Sequence, residues 1–205
     1  MIKIERTSVM NFDNAIRGAR NPMNSWVFSD SYYDDAGKFV LGEADLTLAK
    51  KLAKAGSDHR KFMRQIFVSV DITAPLYWWK EFDTYKVGTV ANSCSTMHKI
   101  HSKEFTKDDF SHDKLNAYGE TVLAGVIDAL NHFRIEFNSL GSKGDWYNMI
   151  QLLPSSYNQL RTVTLNYENL VNIYKARHAH KLHEWHVLCD WIKLLPYSEI
   201  ITGDC

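Results

Sequence analysis

Residues 65–73 read QIFVSVDIT, with Ile66, Val68, Val70 and Ile72 at every second position. A period of two is the signature of a strand with one buried face. The chain must therefore build a sheet around this segment and cover it. Thr73, Ala74 and Pro75 follow at once. They read as a helix start, with Thr73 as cap and Pro75 in the first turn. Leu76, Trp79 and Phe82, spaced by three, give that helix its apolar side.

The other elements are helical for the most part. A short strand is expected over residues 2–9 and a short helix over 12–20, closed by the turn-like pair Asn21-Pro22. Residues 43–55 are rich in helix formers, and Gly56 stands where a C-terminal cap belongs. Residues 115–137 favour a long helix, ended by the turn Gly141-Ser142-Lys143-Gly144. A further helical region is expected after Pro154, running to about Leu194. Residues 85–97, YKVGTVANSCSTM, are small, polar and β-branched without a clean period. A segment of that kind after a helix suits a ligand loop. Residues 102–113 are charged and read as a solvated connection. The sum is a helix-rich mixed α/β (α+β) domain with no dividing linker.

Composition excludes several function classes. Lys+Arg and Asp+Glu number 24 each, so no charge excess favours nucleic acid or an anionic membrane surface. No apolar run approaches the ~18 residues of a membrane span. The opening MIKIERTSV turns charged at once, unlike a secretory leader. Cys94, Cys189 and Cys205 are far apart and odd in number, which points to reduced thiols and a cytoplasmic location.

The most chemically dense stretch is LNYENLVNIYKARHAHKLHEWHVL, residues 165–188, with three asparagines, an arginine and four histidines. His180/His183 and His183/His186 are three apart and could share a helix face. Zinc needs a tetrahedral set, and the zincin spacing of two histidines four apart beside a glutamate is missing around Glu184. A metal site, a ligand-binding face and a hydrated helix surface all remain open on spacing alone. Ser95 and Cys94 lie near His98 and His101, but adjacency in sequence does not make a triad. Tyr77-Trp78-Trp79 lacks the interleaved cations of a base-stacking surface and reads as core or subunit contact.

Two segments together resemble the flavin-dependent thymidylate synthases. The first, residues 62–97, carries a strand leading through Ala74-Pro75 into a helix, and then Asn92 and Ser95 of the family's Asn-Glu-x-Ser-x-Arg motif. The second, residues 152–185, carries Leu153-Pro154, Asn166, Asn172 and Arg177 in ungapped register. Ala19-Arg20 is a weaker third match. The family's Arg-His-Arg run falls on Thr84-Tyr85-Lys86, and its next serine on Thr89. Family arginines fall on Met97, Ile150 and Glu168, and a family histidine upstream of the strand falls on Gln65. The histidine after the helix falls on Lys181, or on His180 after a slip of one.

The resemblance implies a single thymidylate synthase-complementing-like domain over 1–205, in a homotetramer with FAD between subunits. It implies methylation of dUMP to dTMP with methylenetetrahydrofolate and NADPH. Ser95 and Arg177 would be the catalytic pair, with Glu81 and Asn92 beside them on the nucleotide. Lys86, Thr89, Asn166, Asn172 and His180 would hold the cofactor. No metal, nucleic acid or membrane is implied. Arginines that fork onto phosphate give charge-assisted bonds about twice as strong as neutral ones, so their exchange here bears on whether turnover survives. Arg20, Arg161 and Lys175 are candidate replacements. Two rival readings are a non-enzymatic oligomeric relative of the same fold and a metal-dependent hydrolase built on the histidines, His183 among them.

Overall fold

A computed structural model describes residues 2–203; Cys205 lies outside the described residues. In chain order the elements are β1 (Lys3–Met10), α1 (Phe12–Arg20), β2 (Tyr32–Tyr33), β3 (Phe39–Val40), α2 (Glu43–Lys54), β4 (Phe67–Pro75) and α3 (Leu76–Phe82). Then come β5 (Val90–Ser93), α4 (Ala117–Leu140), α5 (Lys143–Leu152), β6 (Asn158–Asn166), α6 (Tyr167–Arg177), α7 (His183–Lys193) and α8 (Glu199–Thr202). A 3-10 helix, Arg60–Gln65, leads into β4. The main sheet has the order β1-β4-β6-β5, and β2 and β3 form a separate antiparallel pair. The fold is the helix-rich α/β type expected. No helix among the described residues is long and apolar enough to cross a membrane.

The chain resolves into two compact units. One holds the first residues up to Lys3, with Ile72–Thr84 and Asn92–Thr162. The other holds Ile4–Asp71, Tyr85–Ala91 and the chain from Val163 onward. Strands β1, β4, β5 and β6 each have residues in both. In the first unit the core is Ile100, Phe105, Phe110, Leu123, Leu130 and Met149, drawn from α4, α5 and the loop before them. Helix α4 is capped by Asn116, whose side chain accepts from Gly119 N, and ends at Gly141 with φ of 65°. In the second unit, Phe12 meets the rings of Tyr167 and Tyr197 edge-on at 5.3 Å each. The Tyr167 hydroxyl donates to Pro196 O at 2.6 Å.

The alternation in β4 is realised: Ile66, Val68, Val70, Ile72 and Ala74 are all buried. The strand runs two residues further than Thr73, however, and Pro75 occupies the N-cap position of α3. Leu76 N and Tyr77 N donate to Tyr157 O and Ser155 O at 3.0 Å each, which holds the chain extended past the expected cap. The larger correction concerns the C-terminal third. The helical region expected from Pro154 to Leu194 is a strand, β6, followed by two helices broken at 178–182. Residues 85–97, read as a loop, contain β5.

Candidate functional site

Segment Tyr85–Ala91 lies along α6 within one unit. Asn166 opens α6 as its N-cap: its Oδ1 accepts from Asn169 N at 3.0 Å, and Asn169 Oδ1 accepts from Asn166 N at 3.1 Å. This reciprocal box satisfies two backbone donors that the first helical turn would otherwise leave bare. Asn169 also donates through Nδ2 to Val87 O at 2.6 Å, so the cap grips the segment. Gly88 turns there with φ of +75°, and a Cβ on it would sit 2.8 Å from Asn166 Nδ2. Only glycine meets both conditions cheaply. Next to it, the Thr89 Oγ1 is buried with no hydrogen-bond partner among the described residues. Lys86 is exposed.

At the other end of α6, Arg177 Nε donates to the Tyr85 hydroxyl at 2.9 Å. Its guanidinium carbon stands 4.7 Å from the Trp185 ring centroid and 5.7 Å from that of Tyr85. Such cation–π contacts contribute about 0.5–2 kcal/mol depending on desolvation. The segment is thus tied to both ends of one helix, through Val87 and through Tyr85.

The middle of α6 carries a charge cluster that sequence reading missed. Glu168 is buried, 7% exposed, and accepts from Arg60 Nε at 3.2 Å and from Arg64 Nε. Arg64 Nη2 adds a bond at 3.3 Å, completing a two-pronged grip. Burial pushes the Glu168 carboxyl up, but the hydrogen bonds and charges of Arg64 and Arg60 outweigh it and hold the group below its ordinary value. Arg60 Nη2 also donates to Asn172 Oδ1 at 3.4 Å. The only sequence signal was the RKFMR spacing, which puts two arginines four apart just before β4. On the opposite side of the same 3-10 helix, a cavity of about 620 Å³ is lined by Asn21, Ser25, His59, Lys61, Phe62 and Gln65 among others. That size is within the range of small-molecule sites.

The candidate cations divide clearly. Arg20 is buried, with Nε on Asp45 Oδ1 at 2.5 Å. Burial pushes the Asp45 carboxyl up, while Ser29, Ser31 and Arg20 bring it back below its usual range. Arg161 is paired with Asp83 at 2.7 Å and lies 4.3 Å over Trp79. Lys175 is exposed. Arg20 and Arg161 are each engaged by a carboxylate, and the cations beside Asn172 are Arg60, which donates to it, and Lys175, three residues further along α6.

Glu81, Asn92 and Ser95 belong to the other unit. Glu81 is half-buried near the end of α3, and its carbonyl accepts from the Thr84 hydroxyl at 2.7 Å. Asn92 is exposed on β5. Ser95 Oγ accepts from Met97 N at 3.1 Å and His98 N at 2.9 Å, a side-chain turn that leaves its own proton to donate. Trp78 and Trp79 are fully buried core, and Trp79 Nε1 donates to Gln159 O at 3.0 Å.

The histidines of 178–186 mostly build the corner between α6 and α7. His178 Nδ1 donates to Tyr174 O at 3.0 Å, and His186 Nε2 donates to His180 O at 2.6 Å. His180 Nδ1 accepts from Leu182 N at 3.1 Å. The rings of His183 and His186 are 6.0 Å apart. Among the described residues no three His, Cys, Asp or Glu side chains are grouped to hold a metal ion.

No family model and no curated protein matches this chain. Solved structures do. It is similar to thymidylate synthase X from Helicobacter pylori with FAD and dUMP, at 16% identity and a TM-score of 0.71, covering 100% of this chain and 98% of that one. It is also similar to the UMP/dUMP methylase PolB from Streptomyces cacaoi bound with 5-Br dUMP, at 16% identity and a TM-score of 0.64, covering 99% and 95%. The α/β fold described above is therefore that of the thymidylate synthase X and UMP/dUMP methylase structures.

Proposed function

We propose that this chain is a flavin-dependent thymidylate synthase-like protein that binds FAD and dUMP and methylates dUMP to dTMP with methylenetetrahydrofolate and NADPH. The observation that carries the reading is the glycine-bent segment Tyr85–Ala91 against α6, with a threonine hydroxyl buried and unpartnered inside it. A buried polar group left unmatched costs about 1–3 kcal/mol. A ligand that reaches it recovers that cost. The fold likeness supplies the class of ligand.

The residues present suit a flavin dinucleotide. Lys86, Arg60 and Arg64 provide positive charge around α6, and Asn172 and Thr89 provide hydrogen-bonding groups for a polar ring edge. When bound, FAD supplies the hydride transfer that the side chains cannot perform. The chain's own part is to bind and orient. Arg177, stacked on Trp185, would place its charge beside the pyrimidine, where negative charge builds during methylation. Ser95, held by two backbone amides, would offer a fixed hydroxyl, and Glu81 and Asn92 would complete the nucleotide contacts. Asn166 contributes by shaping the segment through its cap, and His180 by fixing the corner after α6. The single 1–205 domain, the homotetramer and a cytoplasmic location belong to the same proposal.

A second reading is a non-enzymatic relative of this fold. It is favoured by Glu168, a carboxylate where the resembled family has an arginine, and by the loss of cations at Thr84 and Ile150. Tritium release from dUMP labelled at C5, with FAD, NADPH and methylenetetrahydrofolate supplied, separates the two. Release above a no-enzyme control supports the synthase; none, from folded protein that retains no FAD, supports the lapsed relative.

A further inference from the structure

The Glu168 cluster does more than fasten a 3-10 helix to α6. Glu168 and Asn172 are four residues apart on one helix and so share a face. Arg60 spans them, with Nε on Glu168 Oε1 and Nη2 on Asn172 Oδ1 at 3.4 Å. Arginine has donors only. The atom that Asn172 turns toward Arg60 must therefore be its oxygen, and its Nδ2 must face away. Arg60 is Asn172's one hydrogen-bond partner among the described residues, and Asn172 is exposed. Arg60 cannot swing off to water while the Glu168 carboxylate holds it, and Arg64 steadies that carboxylate from the other side.

From this we infer that Glu168 is a positioning residue. Acting through Arg60, it locks the Asn172 amide so that α6 presents an N–H donor to an acceptor oxygen of the bound flavin. The inference rests on the flavin reading proposed above. It also gives the exchange at 168 a physical meaning. The resembled family carries its cation on the helix itself. Here the helix carries an anion, and two cations approach it from Arg60–Gln65. Two arginines against one glutamate leave an excess positive charge beside Asn172, moderated by Asp58 near Arg64. Lys175, three residues past Asn172 on α6, adds a further positive charge, and the asparagine gains a fixed orientation.

The test is FAD titration by flavin fluorescence quenching, with a parallel calorimetric titration of dUMP, on the full chain and on Asn172→Asp, Glu168→Gln and the double variant. Asn172→Asp keeps an acceptor for Arg60 but removes the outward donor. It should preserve the melting temperature and weaken FAD about tenfold, the scale of one hydrogen bond. Glu168→Gln should weaken FAD by a similar factor. The double variant should be no worse than either single, because the two act through one bond. Unchanged FAD affinity in Asn172→Asp, or losses that multiply to about a hundredfold in the double variant, overturns the positioning role. Weakened dUMP with intact FAD moves the oxygen to the nucleotide and overturns the flavin assignment. A wild-type chain that binds no FAD defeats the functional reading and this inference with it. Should Glu168→Gln fail to fold, Arg60→Lys, which breaks the same Glu168–Arg60–Asn172 link, takes its place in the single and double variants with the same expected and overturning results.

Discussion

Gly88 and Asn166 meet so closely that a Cβ on the glycine would lie 2.8 Å from the asparagine Nδ2. The glycine also holds φ of +75°, where other residues are strained. Gly88→Ala should therefore cost about 1–3 kcal/mol, or a melting point lower by about 2–12 °C for a chain of this size. Differential scanning calorimetry of the variant checks it. A wild-type melting point would mean that the segment is not bent over the α6 cap in solution.

Asn166 caps α6 and packs against Gly88, and in the proposed site it also shapes the ligand segment. Asn166→Ala should lose about 1 kcal/mol of stability with the cap. Asn166→Ser restores a capping oxygen and should recover most of that loss, but it shortens the side chain that Gly88 rests against. Its FAD affinity should stay below wild type. Thermal melts and flavin titrations on both variants separate the two effects, and full recovery of both by serine would reduce Asn166 to a cap.

Thr89 tests the orphaned hydroxyl. Thr89→Val keeps the shape and removes the unmatched group, so the ligand-free protein should gain about 1 kcal/mol. The same variant should lose FAD affinity, because the hydroxyl is then missing when the ligand arrives. Stability up and binding down in one substitution is the expected pair, read by urea unfolding and fluorescence quenching. A variant less stable than wild type would show that the hydroxyl already has a partner.

Acid sensitivity follows from Asp45 and Glu168, whose carboxyls lie below their ordinary values in the folded chain. A carboxylate with a depressed folded pKa adds stability above its unfolded value, about 4, and that stability fades as the pH falls through the folded value. Urea unfolding from pH 7 to pH 3 should show stability falling below about pH 4–5. Asp45→Asn strips the buried Arg20 of its counter-charge and should cost about 3–5 kcal/mol at neutral pH. The same variant should flatten the acid limb. A parallel loss at every pH would remove Asp45 as its source.

Much of the fold could be read from the chain because local and tertiary demands agree there. The helix expected at 12–20 is α1, and the alternation at 66–72 is buried as expected. Residues 43–55 and 115–137 form α2 and α4 within a few residues, closed by the left-handed glycines Gly56 and Gly141. Strand β6 was hidden because one inward position is Gln159, not an apolar residue. Its polar atoms are satisfied by Cys94 O and Arg161 Nε, partners distant or unremarkable in sequence. The break between α6 and α7 was hidden for a similar reason. Neither glycine nor proline marks it, and histidine side chains bond the backbone in their place. At the site, Asn166, Asn172 and Arg177 stood out by residue type, whereas Arg60, Arg64 and Asn169 matter only through what they touch. Touching is a tertiary fact.

The proposed flavin lies beside α6. The most direct measurement is the visible absorbance of the purified chain after incubation with FAD and gel filtration. A flavin band travelling with the protein, weakened in Thr89→Val and Asn172→Asp in proportion to their lower FAD affinity, is the predicted result. A colourless protein peak, with the fluorescence of the added FAD unquenched, would contradict it.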